Sequence, residues 1–267
     1  MANASAPYSF LDRQIRRYGG RLRHRINKIL ARYSEIGDPP VFDPAIFDWT
    51  PLLQRHWRTI QAEAEQVLSR QAGLPSLVDL SPDHAGINAD GGWRSFFLWG
   101  YGFRIDDACA CCPETTRLVE QIPGLMTAMF SVHVPGTHLS RHRGVTKGMI
   151  TVHLPLKVPR DAHHCRIDVD GQVHQWREGE LFAFDDTYAH ETWNDTDEVR
   201  ILLLLHVRRP LQAPGSWLRD LFFWAIRRTA FVRDAHRNIE AWSARVDQIE
   251  RAEAERYAHA SHKACSD

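Results

Sequence analysis

The chain has 267 residues, 43% hydrophobic and 25% charged, enough for one large domain or two small ones. Its 33 basic and 33 acidic residues cancel, so no whole-molecule field draws it to nucleic acid, and no apolar run reaches the roughly 18 residues of a membrane span. Five cysteines, an odd number with three crowded at Cys109, Cys111 and Cys112, do not make a secreted disulfide framework and point to a reducing compartment. The opening MANASAPYSF lacks the charged start and apolar centre of a signal peptide, so a cytoplasmic protein is expected.

Near the start, apolar residues recur at helical spacing at Leu11, Ile15, Tyr18, Leu22, Ile26 and Ile29. Gly19-Gly20 interrupts them and predicts two helices or one weak one. The same stretch carries Arg13, Arg16, Arg17, Arg21, Arg23, Arg25, Lys28 and Arg32 with no acid between them. That is either a solvated helix face or a surface drawn to anionic lipid. GDPPVFDP at 37–44 is a turn-rich boundary. Asp48 or Thr50 can cap the next helix, with Pro51 in its first turn, running to Arg70.

From Trp93, WRSFFLWGYGF reads as a buried strand. The C-x-C-C cluster after it lacks the second ligand pair of a zinc knuckle, so its thiols are expected reduced and buried, ahead of a helix near 113–121. Between Leu125 and Val207 short strands follow one another: MTAMFSVHV, GMITVHLPLKV, HCRIDVD, QVHQW, ELFAF and VRILLLLHV. Asp170-Gly171 between two of them is a hairpin signal. No helix intervenes, which argues against a parallel sheet. The expected fold is mainly β, a double-stranded β-helix (jelly-roll, cupin-like) core with flanking N- and C-terminal helices. RRPLQAPG ends the pattern, and 216–232 and 239–258 read as two helices packed on the barrel's outer face. If exposed, Leu221-Phe222-Phe223-Trp224 would suit a membrane surface or a partner.

Within 131–200 two histidines flank strand-like runs: His142 in Arg141-His142-Arg143-Gly144, in a loop, and His190 in FDDTYAHETWN, after a polar turn. Imidazole is the commonest ligand for a borderline metal, and a barrel-mouth site draws ligands from different strands. The usual non-haem iron site adds a carboxylate two residues after the first histidine, and Gly144 stands there. Either water takes that position or there is no iron; Asp185 and Asp186 either supply a carboxylate or shape the turn.

The ordered set AMFSVHVPGTHLSRHRG, VHLPLKVP and EGELFAFDDTYAHETWNDTDEVRILLLLHVRRP, extended upstream through WRSFFLWGYG, resembles the aspartyl/asparaginyl β-hydroxylase family over about 93–210. The resemblance implies a dioxygenase using Fe(II), 2-oxoglutarate and O2, on a double-stranded β-helix, with glycine in the carboxylate position as at Gly144. By that resemblance His142 and His190 bind iron and are catalytic, Arg200 pairs with the distal carboxylate of 2-oxoglutarate, and Ser131 and His153 help hold it. Family members can carry arginine where this chain has Thr151, so the co-substrate pocket is arranged differently here or Lys147 compensates.

The family hydroxylates Asp or Asn side chains of peptides or, in bacterial relatives, the acyl chain of lipid A. Peptide, small-molecule and lipid substrates therefore stand open, nucleic acid does not, and the basic ends fit peripheral contact with the inner face of an anionic membrane. The expected division is a basic helical segment (1–40), the dioxygenase domain (41–210) and a helical extension (211–267). Two other classes stand beside this one: a non-catalytic cupin-like binding module and a membrane-associated scaffold.

Overall fold

Side-chain alternation along the longer strands divides this molecule into a structural core and a functional interior. The computed structural model describes residues 10–70, 74–76, 86–87, 91–228 and 237–238. Its helices are α1 (Phe10–Arg32), α2 (Thr50–Arg70), α3 (Asp106–Cys111), α4 (Pro113–Val119) and α5 (Gly215–Ile226). Its strands are β1 (Val41–Phe42), β2 (Trp93–Gly100), β3 (Phe103–Arg104), β4 (Leu125–His133), β5 (Thr137–His142), β6 (Met149–Lys157), β7 (Cys165–Val169), β8 (Gln172–Gln175), β9 (Phe182–Phe184), β10 (His190–Asn194) and β11 (Arg200–Arg208).

Two sheets result, a seven-stranded one in the order β1-β9-β6-β11-β4-β2-β3 and a four-stranded one in the order β5-β10-β7-β8. Every pairing is antiparallel, as expected for a jelly roll without crossover helices. The β7–β8 hairpin closes at Asp170-Gly171, both with positive φ (54° and 85°), which asparagine-like residues and glycine accept most readily.

Period-two alternation sends Phe130 and Val132, Val152 and Leu154, and Leu203 and Leu205 to one face of the large sheet. There they pack against Leu53, Ile60 and Val67 of α2 and Leu118 of α4. Burying a leucine of this kind stabilises by about 2 kcal/mol. The intervening residues, Ser131 and His133, Thr151 and His153, Arg200 and Leu202, project to the other face and are buried as well. A strand set with both faces covered explains the near-continuous apolar run ILLLLHV.

α1 is one continuous helix through Gly19-Gly20, the second of the two forms expected from the sequence. Tertiary contacts account for this, because α1 packs on α5 and Asn27 bonds Val145 O and Lys147 N. α2 begins at Thr50, whose hydroxyl donates to Phe47 O at 2.8 Å instead of capping a helix N–H. Cys109 and Cys112 are buried free thiols, whereas Cys111 is exposed, against the expectation that the whole cluster is buried. The helix expected over 239–258, and the end of the one over 216–232, lie outside the described residues.

Candidate active site

His142 is the last residue of β5 and His190 the first of β10, not loop residues as expected from the sequence. The two strands pair directly, His142 opposite His190, with a bulge between His190 and Thr192. A bulge re-aims the side chain beside it. Here the imidazoles come together with ring centroids 4.1 Å apart. His142 Nδ1 bonds Ser140 O at 2.7 Å, and His190 Nδ1 bonds Tyr188 O at 3.0 Å. A carbonyl only accepts, so each Nδ1 carries the proton and each Nε2 keeps its lone pair, the tautomer a metal takes. Burial, then the neighbouring His142, pulls His190 down to about 4, so at neutral pH its imidazole is uncharged.

Gly144 follows His142 by two residues and leaves no space for the usual carboxylate. A Cβ built there would land on the carboxylate of Asp186, and the backbone closes the contact, Gly144 N donating to Asp186 O at 2.6 Å. Burial, then Asp185, raises the Asp186 carboxyl to about 7, with Thr151 and Lys147 opposing. Among the described residues no group of three His, Cys, Asp or Glu side chains converges on a metal position. The pair His142 and His190 with two set lone pairs fits a metal whose other positions are filled by water and co-substrate, not a three-ligand protein cage.

Asp185 settles the other open alternative by shaping the turn. Its Oδ1 accepts from Thr187 N at 2.9 Å and Thr187 Oγ1 at 2.6 Å, while Oδ2 accepts from Lys147 Nζ at 2.8 Å and Arg209 Nη1 at 2.7 Å. Burial pushes its carboxyl up, but these partners outweigh burial and hold it below its ordinary value. Lys147 also pairs with Asp38 at 2.6 Å. It fastens the turn ahead of His190.

Deeper in the barrel lies Arg200, 1% exposed, at the start of β11. Its Nη2 donates to Ser131 Oγ at 3.3 Å, that oxygen also accepts from Trp93 Nε1 at 3.0 Å, and the guanidinium lies 4.7 Å over the ring of Trp176. Its Nε is buried without a hydrogen-bond partner, and no ion pair to it is formed among the described residues. Burial pulls the group down to about 10, which leaves it charged at neutral pH. A buried guanidinium with an orphaned N–H and no acidic partner is arranged for an incoming anion, and its planar fork matches a carboxylate.

His153 projects from β6 into the same interior, its Nδ1 accepting from Trp176 Nε1 at 3.3 Å, against Phe184. Burial, then Arg200, holds it well below its usual value, so it is neutral. The residues carried from the sequence, His142, His190, Arg200, Ser131 and His153, thus all face one barrel interior. Sequence reasoning missed His133, Trp176 and Trp93. His133 sits opposite Arg200 on the neighbouring strand, buried, with Nδ1 unpartnered and its proton affinity lowered by burial and by Arg200. Its signal was the alternation of β4, which puts position 133 on the face of Ser131.

Comparison with known proteins gives the family. The family described as "Aspartyl/Asparaginyl beta-hydroxylase" matches residues 54–210. The ornithine lipid ester-linked acyl 2-hydroxylase of Rhizobium tropici is 40% identical over 215 residues, 79% of this chain and 75% of that one. The human aspartyl/asparaginyl beta-hydroxylase is 30% identical over 167 residues, 61% of this chain but 21% of that longer protein. Among solved structures, a Pseudomonas putida prolyl-4-hydroxylase covers 59% of this chain at 20% identity, with a TM-score of 0.37. The chain therefore belongs to the aspartyl/asparaginyl β-hydroxylase family and is a hydroxylase of the dioxygenase type, which sets aside the binding-module and scaffold readings.

Proposed function

We propose that the chain is an Fe(II)- and 2-oxoglutarate-dependent dioxygenase that hydroxylates an acyl chain of a membrane lipid. One observation carries the cofactor reading: two imidazoles with Nε2 lone pairs share a barrel with a buried guanidinium that lacks an acidic partner. His142 and His190 would hold the metal. Arg200 and Ser131 would take the distal carboxylate of 2-oxoglutarate, with His153 as a neutral wall beside it. Bound together, iron(II), 2-oxoglutarate and dioxygen supply the insertion of one oxygen atom into a C–H bond while 2-oxoglutarate becomes succinate and carbon dioxide. The protein's own work is positional: the carbonyls of Ser140 and Tyr188 fix both imidazole planes, and Trp93, Trp176 and Phe184 exclude water from the interior.

The lipid substrate is supported by the Rhizobium tropici relative, similar over most of both chains. We place the enzyme in the cytoplasm, consistent with reduced, buried thiols at Cys109, Cys112 and Cys165. Among the described residues no helix is long and apolar enough to cross a membrane.

The test is an anaerobic titration of metal-free protein with iron(II), then 2-oxoglutarate, following the visible charge-transfer absorption of the chelate. The expected band is lost in His142→Ala and weakened in Arg200→Ala. A folded parent without a band overturns the cofactor reading. Mass spectrometry of lipid extracts after aerobic turnover then looks for one added oxygen on an acyl chain; addition to an Asp- or Asn-containing peptide instead overturns the substrate.

A further inference from the structure

α5 carries an aromatic stripe that the barrel does not use. Trp217, Leu221 and Trp224 recur at i, i+4 and i+7, hence on one helix face, and they are 70%, 60% and 54% exposed. The opposite face holds the helix in place: Phe223 is buried and packs against Gly148. Isolated exposed apolar residues are ordinary, but three large ones in register on a single helix face form a patch. The acidic Asp220 beside them is already engaged by Arg208 and Arg219. At the far end of the stripe, the Arg228 guanidinium lies 3.9 Å over the Trp224 ring.

α1 packs against α5 and supplies the charge. Arg23, Arg25 and Lys28 are exposed on it, beside exposed Leu22 and Ile29. No acidic residue occurs between Arg13 and Arg32. A helix pair with tryptophan and leucine on a solvent face, and arginine and lysine alongside that form no ion pair among the described residues, matches the polar–apolar boundary of an anionic bilayer. Indole rings settle at headgroup depth there, and cations meet lipid phosphate.

The two helices also touch the connection between β5 and β6, which follows His142. Asn27 of α1 donates to Val145 O at 3.3 Å and accepts from Lys147 N at 3.0 Å, and α5 contacts Gly148 through Phe223. Those residues start one position after Gly144, which lies against Asp186 beside the histidine pair. We infer that the α1–α5 face docks this protein on an anionic phospholipid surface and holds the Gly144–Gly148 side of the histidine site toward the bilayer. The docking stands on exposure and charge alone; its use for presenting an acyl chain to the site rests on the lipid reading above.

The experiment is co-sedimentation of the full chain with vesicles of phosphatidylcholine, with and without phosphatidylglycerol, for the parent and two triple variants. One variant replaces Trp217, Leu221 and Trp224 by serine, the other Arg23, Arg25 and Lys28 by glutamate. The parent is expected to pellet with the anionic vesicles and to be released by salt, and each variant to partition about tenfold or more weakly. Both variants keep the parent's response to iron(II) and 2-oxoglutarate, since none of the changed residues lies in the barrel. A parent that stays in the supernatant overturns the inference, as does a serine variant that binds as the parent does. So does a parent that is dimeric without vesicles and becomes monomeric on serine substitution, for then the stripe is an interface between copies. Vesicle binding without a cofactor response leaves the docking surface standing and removes the catalytic reading instead.

Discussion

Replacing Arg200 by methionine should leave the protein as stable as before, or more so, while removing the proposed hold on 2-oxoglutarate. Burial depresses the guanidinium to about 10, and at about 1.4 kcal/mol per tenfold this opposes folding at neutral pH by about 3 kcal/mol. Against it stand the hydrogen bond to Ser131, about 1 kcal/mol, and the stacking over Trp176, about 1–2 kcal/mol when desolvated. The sum lies between about zero and 1 kcal/mol in favour of methionine, whose unbranched chain also fills part of the volume. Binding behaves oppositely. Losing a desolvated bidentate partner costs about 2–5 kcal/mol, or about 30-fold to several-thousand-fold in the dissociation constant of 2-oxoglutarate. The assay pairs urea unfolding of metal-free protein with calorimetric titration of 2-oxoglutarate into anaerobic iron-loaded protein. A variant destabilised by more than about 3 kcal/mol, the signature of breaking a buried ion pair, would refute the claim that Arg200 awaits an exogenous anion.

Gly144→Asp, which supplies the carboxylate of an ordinary facial triad, should weaken iron binding because its side chain meets Asp186; adding Asp186→Gly should recover it, and iron titration of both variants reads the difference. His133→Leu should raise the dissociation constant of 2-oxoglutarate about tenfold, as expected for one hydrogen bond to a charged group, and leave iron affinity unchanged, since its unpartnered Nδ1 faces the Arg200 region. Stability should fall as the pH drops below 6.5, because His190 is held down to about 4 and His133 and His153 also lie well below that ordinary value. Between about pH 4 and 6.5 the unfolded chain binds the protons that these three buried rings refuse, while Asp186, raised to about 7, keeps one proton that the unfolded chain has lost, so on balance stability still rises with pH across that window. Urea midpoints at pH 7.5 and 5 check this, and His153→Gln should show the smaller drop.

The jelly roll was legible because most of its strands carry their own signals: apolar alternation, and turns such as Asp170-Gly171 that only certain residues accept. β5 and β10 escaped for a physical reason. Ser-Arg-His and His-Glu-Thr put polar side chains on both faces of a half-open sheet, so neither shows an apolar period. Their pairing brings His142 to His190, and that register is invisible until the sheet is assembled. Arg200 and Ser131 were found through family likeness, whereas His133 needed only strand alternation. At α1 the sequence left two helices or one weak one open across Gly19-Gly20, and packing on α5 goes with the single helix.

Gly144 ties these levels together. From the sequence it is an absence, the acid that a three-ligand iron site should have. In the fold that space is filled by the Asp186 carboxylate. Asp186 is brought there by a turn that Asp185 builds on Thr187 and that Arg209 and Lys147 fasten to Asp38, Gly37 and Ser34. The same turn carries Tyr188, whose carbonyl sets the tautomer of His190. One ion cluster therefore bears both on the tautomer of His190, a proposed metal ligand, and on the space beside Gly144. Loosening it from a distance, as in Arg209→Met, should impair metal binding even though Arg209 touches neither histidine. Iron titration of that variant, with circular dichroism to show retained strand content, separates this coupling from global unfolding: unchanged iron affinity would mean that the strand pairing alone holds His190 in place.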